Sequence, residues 1–148
     1  MIREANKFDI DACVEMMRQY AAESPIIKLR DKRLHDEQHI RQLLSSLIIG
    51  RGFVLVDNEY RGMAAGIVVP NVWCPEVNEV RELAWWVAPE HRNTTIGGKL
   101  FLAYNKKAQE LIDQERAEVA IISLMPQSPK IDLESRGFKK IDSTYCKE

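Results

Sequence analysis

Residues 87–100, with the sequence VAPEHRNTTIGGKL, combine residue types that could bind an anion. An apolar run ends at Pro89, polar residues follow, and Gly97 and Gly98 open a long helical pattern. The first turn of a helix exposes backbone N–H groups that have no partner within the helix, and it carries the positive end of the helix dipole. The segment therefore predicts an anion site at a helix N-terminus.

Other interpretations of this segment explain less of it. A P-loop would need an earlier glycine and a Ser or Thr at Leu100, and the dinucleotide fingerprint GxGxxG is absent. A capped helix with a glycine packing position stays open as a purely structural interpretation. It does not account for Arg92 or for the Val-x-Pro that precedes it.

Hydrophobic periodicity predicts the elements that must position this segment. In chain order they are a strand at 1–5, a helix capped by Asp9 or Asp11, a loop at 24–35, a helix ending at Gly50 or Gly52, a hairpin of strands 52–56 and 61–70, a strand at 79–88, a helix from about 96 to 116, a buried strand at 118–124, a short helix at 128–135 closed by Gly137, and a final strand at 138–147. We expect a single α/β domain over residues 1–148. Its sheet is mixed and mostly antiparallel, with helices on both faces and a central βαβ unit.

Composition limits the classes of partner. The 148 residues have a formal net charge of −1, which gives no global attraction to nucleic acid or to an anionic membrane. No apolar run approaches the roughly 20 residues that span a bilayer. Cys13, Cys74 and Cys146 are widely spaced and form no CxxC pair, so we expect a reduced, cytoplasmic protein without a metal site.

The order of elements and residues 87–100 resemble the GNAT superfamily of acyl-CoA-dependent N-acetyltransferases, over almost the whole chain. The family signature is a strand ending in Val-x-Pro, then Arg or Gln, two residues, Gly, one residue, and Gly or Ala. Val87, Pro89, Arg92, Thr95 and Gly97 occupy these positions here. The later sequence LESRGFKKI resembles a second signature, in which a short helix ends in Gly-Phe.

The resemblance implies that the anion is the pyrophosphate of acetyl-CoA. Backbone N–H groups of about residues 93–98 would face it, Arg92 would add charge, and the pantetheine arm would lie along Val87 and Ala88. The implied cofactor-binding residues are Trp86, Val87, Ala88, Arg92, Asn93, Thr94, Thr95, Ile96, Gly97, Gly98 and Lys99. Thr95 replaces the first glycine of the signature. If position 95 is helical, threonine costs little, whereas a positive φ there would weaken the site.

Acetyl transfer also needs a neutral amine. Deprotonating a lysine-like amine at pH 7 costs about 4.6 kcal/mol, so a carboxylate that accepts the proton is expected. Glu82 and Glu79 lie on the strand that ends at Val87, and Glu82 is our preferred base; two solvated strand-edge charges are the structural alternative. The family's usual thiolate partner, a tyrosine, is Leu133 here, and Tyr145 is the substitute that the sequence offers.

The function implied by the resemblance is transfer of an acetyl group from acetyl-CoA to a primary amine of a small molecule or protein. A non-catalytic GNAT-like module that binds acyl-CoA or another protein is the alternative. A homodimer stays open. Trp73 and Cys74, in the loop before the predicted catalytic strand, are candidates for contact with the acceptor, and Trp85 and Trp86 should face opposite sides of the sheet.

Overall fold

The computed structural model describes residues 1–30 and 34–148. Within these ranges one sheet has five strands in the order β1-β2-β3-β4-β5. The strands from β1 to β4 pair antiparallel, and β4 pairs parallel with β5, which confirms the mixed, mostly antiparallel sheet. The strands are β1 Ile2–Glu4, β2 Gly52–Asp57, β3 Gly62–Pro70, β4 Asn78–Val87 and β5 Val119–Ile121.

Helices cover both faces of the sheet. Helices α1 (Ile10–Ala22) and α2 (Glu37–Ser46) pack on one face, and α3 (Ile96–Asp113) packs on the other. Because side chains alternate along a strand, the valines of β2 contribute to the α1–α2 side while Phe53 and Leu55 contribute to the α3 side. The β4-α3-β5 connection joins parallel strands and is the predicted βαβ unit. No helix among the described residues is long and apolar enough to cross a membrane.

The predicted elements around α2 and α3 form with shifted ends. The loop predicted at 24–35 contains a 3-10 turn at Ile27–Leu29, and its residues 31–33 lie outside the described residues. After α2 the chain makes one π turn, Leu47–Arg51, in which Gly50 has a φ of 145°. A glycine adopts this conformation without strain, so it ends the helical segment as predicted. Helix α3 ends at Asp113, before the predicted end near residue 116.

Asp9 stands at the N-cap position of α1, but its side chain does not cap that helix. Its carboxylate instead accepts hydrogen bonds from both terminal nitrogens of Arg3 (2.7 and 2.8 Å), from the Tyr60 hydroxyl (2.5 Å) and from the backbone N–H of Asn6 (2.8 Å). The Arg3 guanidinium holds the pKa of this buried carboxyl well below its usual range. The residue therefore ties β1 to the β2–β3 turn.

The predictions for the C-terminal region are wrong in three respects. The strand predicted at 118–124 is only Val119–Ile121, and it is half-buried to exposed rather than buried. The predicted helix at 128–135 is one 3-10 turn, Glu134–Arg136, closed by Gly137 with a φ of 90°. Residues 138–147 form no strand. Of that segment, Phe138 packs on the α3 face, while Ile141 and Tyr145 stay exposed. It has too few buried side chains to hold a strand on the sheet.

Candidate functional site

The sheet opens between β4 and β5. These strands pair only from Glu79 to Arg81, and the last pair joins Arg81 to Ile121. Strand β5 ends there, whereas β4 continues to Val87. In the described part of the chain, residues 82–87 of β4 therefore have an edge with no neighbouring strand. This edge leads directly to the start of α3.

A small cavity of about 70 Å³ lies against this open edge. The segment that follows β5 forms its opposite wall, and Tyr20 reaches it from the last turns of α1. The lining residues are Tyr20, Trp85, Trp86, Val87, Arg92, Met125, Gln127, Ser128 and Pro129. An extended chain could enter here and continue the sheet, as an added strand does.

The start of α3 presents free backbone donors beside the cavity. Among the described residues, four N–H groups of this stretch make no hydrogen bond: those of Asn93, Thr95, Gly97 and Gly98. The side chains of Asn93, Thr94, Thr95 and Lys99 are exposed around them, while Ile96 is buried. Free N–H groups at the positive end of a long helix make this an anion-binding geometry.

Thr95 fits its position without strain. Its φ of −83° and ψ of 0° are right-handed helical values, so the glycine of the family signature is not required for backbone reasons. Its hydroxyl makes no cap hydrogen bond. The neighbouring Thr94 hydroxyl does: it donates to the His91 carbonyl (2.5 Å) and accepts weakly from the Ile96 N–H (3.4 Å). Of the two alternatives for position 95, the helical one holds.

The two glycines at the start of α3 have different surroundings. A Cβ at Gly97 would lie 3.3 Å from Pro129 Cγ and 3.6 Å from Val87 Cγ2, so this glycine packs against the rim of the cavity. Its carbonyl accepts a hydrogen bond from Trp85 Nε1 (3.0 Å). A Cβ at Gly98 would meet nothing within 4 Å. Gly98 therefore faces open space beside the free N–H groups.

Arg92 is held by an internal network. Its Nη2 donates to Glu23 Oε1 (2.6 Å), and its Nε donates to the Val87 carbonyl (2.8 Å) at the end of β4. Trp86 Nε1 donates to the same Glu23 oxygen (2.6 Å). The Arg92 guanidinium lowers the pKa of Glu23, so this carboxylate is ionised at neutral pH. The charge of Arg92 is therefore partly neutralised before any anion binds, which the sequence did not predict.

Glu82 stands at the point where the strands separate. It is the first residue of β4 beyond the pairing with β5, and it lies opposite Gly66, where a bulge shifts the β3–β4 register. Burial raises the pKa of Glu82 from 4.5 to about 7, and the nearby Ser123 backbone N–H only partly opposes this. A carboxylate with a pKa near neutrality is suited to accept a proton at the pH of the cell.

Glu79 has a different environment. It is buried and accepts hydrogen bonds from Asn71 Nδ2 (2.8 Å) and Arg81 Nε (3.1 Å). The Asn71 amide, and secondarily Arg81, lower the pKa of Glu79. This carboxylate fastens the β3–β4 loop, so of the two glutamates only Glu82 has a proton affinity suited to a base.

Besides Tyr60, whose hydroxyl donates to Asp9, the chain has three tyrosines in different surroundings. Tyr145 is 91% exposed near the end of the chain, and Leu133, at the family's tyrosine position, packs against the α3 core. Tyr104 is buried and donates to the Ile121 carbonyl (3.1 Å), as expected for a packing residue. Tyr20 lines the small cavity, and burial raises its pKa to about 12. The spacing of Tyr20 groups it with the apolar residues of α1, and its hydroxyl on that otherwise apolar face is the one signal in the sequence for a role at the site.

The remaining candidate residues are placed as follows. Trp86 packs on the α1–α2 side and Trp85 on the α3 side, which confirms that they face opposite ways. Ala88, after β4, is buried. Trp73 is 92% exposed and Cys74 is exposed, and neither lines the cavity. Among the described residues no three His, Cys, Asp or Glu side chains are grouped to hold a metal ion.

No family model and no curated protein matches the sequence. Solved structures do match it over its full length. A Trypanosoma brucei acetyltransferase is 14% identical, with a TM-score of 0.64 and 98% of its chain covered. A predicted acetyltransferase from Clostridium acetobutylicum, solved with acetyl-CoA, is 13% identical with a TM-score of 0.67 and 95% covered. A ribosomal-protein-alanine N-acetyltransferase from Brucella melitensis is 15% identical with a TM-score of 0.63 and 99% covered.

The chain has the fold of these acetyltransferases. This confirms the fold that the sequence resemblance implied. The resemblance rested on the segment from the end of β4 to the start of α3, which carries Arg92 and the two glycines. At identities of 13–15%, the likeness extends to the fold and leaves the activity to be argued from the site.

Proposed function

We propose that this protein is an N-acetyltransferase that moves the acetyl group of acetyl-CoA to a primary amine of a small molecule or protein. The observation that carries the proposal is the juxtaposition of the free N–H groups at the start of α3 with the open edge of β4. The free N–H groups suit a pyrophosphate and the open edge of β4 suits an extended amide chain. Coenzyme A contains both groups. The comparison structure with acetyl-CoA supports this cosubstrate for the fold.

The chain's own residues account for cofactor binding. The N–H groups from Asn93 to Gly98 bind the pyrophosphate, and Lys99 lies exposed one residue further along α3. Hydrogen bonds to a charged group are worth roughly 1.5–3 kcal/mol each, so a few of them suffice without a metal. The pantetheine arm runs along Trp86, Val87 and Ala88 and directs the thioester toward Tyr20 and Glu82.

Transfer is direct, through a tetrahedral intermediate. Glu82, itself or through a water molecule, takes the proton that the attacking amine must lose. The amine nitrogen bonds to the thioester carbonyl carbon, the carbon–sulfur bond breaks, and the electron pair leaves on sulfur. A proton delivered to that thiolate completes the products, an N-acetylamine and coenzyme A. A backbone N–H of β4 stabilises the oxyanion.

Two tyrosines are candidates for donating the proton to the thiolate. Tyr145 is the candidate of the sequence. Tyr20 is favoured by geometry, because its side chain lines the cavity beside Trp86 and Val87 whereas Tyr145 points into solvent. Burial keeps Tyr20 protonated at neutral pH, as a proton donor must be.

A non-catalytic module that binds acyl-CoA is the second candidate function. The observation that favours it is the apolar packing of Leu133, where the family has its acid. Binding of coenzyme A without turnover of any amine would support this alternative.

Gly98 provides the sharpest test of the cofactor site. A Cβ there meets nothing in the free protein, and alanine within a helix is more favourable than glycine by roughly 0.5–1 kcal/mol. Gly98→Ala should therefore raise the melting temperature of the free protein slightly while weakening coenzyme A binding. Gly98→Val should reduce binding further. Calorimetric titration with coenzyme A and thermal unfolding measure the two effects.

Leu102 on α3 supplies the matched control. It is 51% exposed and lines neither the open edge nor the cavity. Leu102→Val should leave coenzyme A binding unchanged. If wild-type protein shows no melting-temperature rise with millimolar coenzyme A, or if Gly98→Val binds it as wild type does, the proposed cofactor site is refuted.

A further inference from the structure

A second, larger cavity lies on the α1–α2 face of the sheet. Its volume is about 350 Å³, more than twice the roughly 150 Å³ of an engineered cavity that binds benzene. Met17 on α1, Ile40 and Leu43 on α2, and Leu83 and Ala84 on β4 are among its walls. Leu34 and Leu83 in its wall are partly exposed, so the cavity reaches the surface of the protein.

The lining of this cavity is almost entirely apolar. Of the described residues that form it, only Tyr20 and Ser24 carry polar side-chain groups, and none carries a charge. Glu23, next in the chain to Ser24, is already engaged by Arg92 and Trp86. Among the described residues that line the cavity, a second ammonium group would find no counterion, and burial of an unpaired charge is strongly unfavourable.

The large cavity meets the small one at two shared residues. Tyr20 and Met125 line both, and the Tyr20 hydroxyl lies 3.9 Å from Met125 Sδ. The wall formed by Leu83 and Ala84 directly follows Glu82 along β4. A ligand in the large cavity can therefore place one end at the point where the thioester is expected, with the rest of its body among apolar side chains.

We propose that this cavity binds the apolar body of the acceptor, a primary amine that carries an aliphatic or aromatic group. The inference rests on the proposed function. Direct transfer needs two adjoining sites, and the small cavity on β4 is taken by the pantetheine arm, which leaves the large one to the second substrate. The amine reacts with acetyl-CoA at the Tyr20–Met125 end and gives an N-acetylamine and coenzyme A. Polyamines and other polycations are excluded as good acceptors.

The experiment compares alkylamines of increasing length and, at one length, an amine with the corresponding diamine. At fixed acetyl-CoA, kcat/KM for straight-chain alkylamines should rise about fourfold per added methylene, the ratio that corresponds to about 0.8 kcal/mol per buried CH₂, until the cavity is filled. Octylamine should exceed 1,8-diaminooctane by at least 100-fold, because the second ammonium has no partner among the described lining residues. Equal rates for these two amines, or rates independent of chain length, would overturn the proposal.

Variants of α2 test the location. Leu43 is half-buried in the cavity wall, so the larger side chain of Leu43→Trp should reduce the cavity volume. The alkylamine length that gives the highest kcat/KM should then become shorter, while the affinity for acetyl-CoA is unchanged. Ile40→Phe, on the same wall, is the milder second variant if Leu43→Trp does not fold. Leu102→Trp, outside both cavities, should keep the wild-type chain-length profile. An unchanged profile in both folded wall variants would place the acceptor elsewhere.

Two further arms separate this inference from the proposed function. Octanoyl-CoA with ethylamine should react more slowly than acetyl-CoA with octylamine; the reverse result would assign the cavity to the acyl chain and overturn the proposal. Calorimetry of octylamine and 1,8-diaminooctane with the cofactor-free protein needs no turnover. Selective octylamine binding supports the cavity assignment even if no acetyl transfer occurs, and equal or absent binding of both amines contradicts it.

Discussion

The pKa of Glu82 allows the proposed base to be tested without knowing the acceptor. Burial raises this pKa from 4.5 to about 7, so between these pH values the folded protein keeps a proton that the unfolded chain has lost. Stability therefore falls as the pH rises through this range. Above pH 7 the carboxylate is ionised in both states, and the folded protein bears the cost of ionising this half-buried group. At 1.36 kcal/mol per pH unit, that cost is about 3 kcal/mol.

Glu82→Gln removes the charge and keeps the shape. Since neutral Glu82 and glutamine are similar, the variant and the wild type should have nearly equal free energies of unfolding at pH 4.5. At pH 8 the variant should be more stable by about 3 kcal/mol, or roughly 6–12 °C in melting temperature for a domain of this size. Urea unfolding at pH 4.5, 6 and 8 measures the difference. The same variant should lower kcat by about 10²–10⁴-fold.

Glu79→Gln is the matched control, and its sign is opposite. Hydrogen bonds from Asn71 and Arg81 lower the pKa of Glu79, so ionised Glu79 stabilises the fold above its ordinary pKa, and that stabilisation is lost as the pH falls. Glu79→Gln should thus be less stable than wild type at pH 8, with the deficit shrinking toward pH 4. A stability difference for Glu82→Gln that does not change with pH would refute the raised pKa, and with it the physical reason for choosing Glu82 as the base.

Two further pairs of variants test the rest of the proposed site. Tyr20→Phe should lower kcat about tenfold or more without changing the affinity for acetyl-CoA, while Tyr145→Phe should stay near wild type; the opposite pattern in steady-state kinetics would return the acid role to Tyr145. Arg92→Ala should weaken coenzyme A more than it weakens pantetheine, which lacks the pyrophosphate, and Glu23→Gln should strengthen coenzyme A by releasing Arg92 from its internal partner. Calorimetry with both ligands checks this, and identical effects on the two would show that Arg92 does not face the pyrophosphate.

The sequence predicted best those elements whose apolar residues recur with a clear period. Helices α1 and α3 each bury one continuous face, so their periodicity is the same property that stabilises them. The β2–β3 hairpin is buried on both faces and was predictable from its two continuous apolar runs and the polar turn between them. The segment 138–147 has strand-forming residues but exposes most of them. Local composition there suits a strand, whereas pairing with the sheet depends on contacts with the rest of the fold.

The position of the candidate site was predictable, but its charge pairing was not. Arg92 and the glycines are one short stretch with a known spacing, so their location follows from local sequence. The Arg92–Glu23 pair joins residues 69 positions apart. The raised pKa of Glu82 arises from the separation of β4 and β5, and the role open to Tyr20 arises from two cavities meeting beside it. Such features depend on tertiary contacts between residues far apart in the chain, which the spacing of residues along the sequence does not predict.

The pairing of Arg92 also ranks the contributions to cofactor binding. Glu23 already neutralises part of the charge of Arg92, and the Val87 carbonyl accepts a hydrogen bond from its Nε. The binding free energy that Arg92 adds for a pyrophosphate is therefore reduced by the contacts that it already makes. The backbone N–H groups of Asn93, Thr95, Gly97 and Gly98 give up no internal partner within the described residues. The free energy of their hydrogen bonds to the anion is offset only by the loss of their hydrogen bonds to water, and the helix dipole attracts the anion further. The start of α3 should therefore contribute more than the arginine, so blocking the open space at Gly98 should reduce coenzyme A affinity more than Arg92→Ala does.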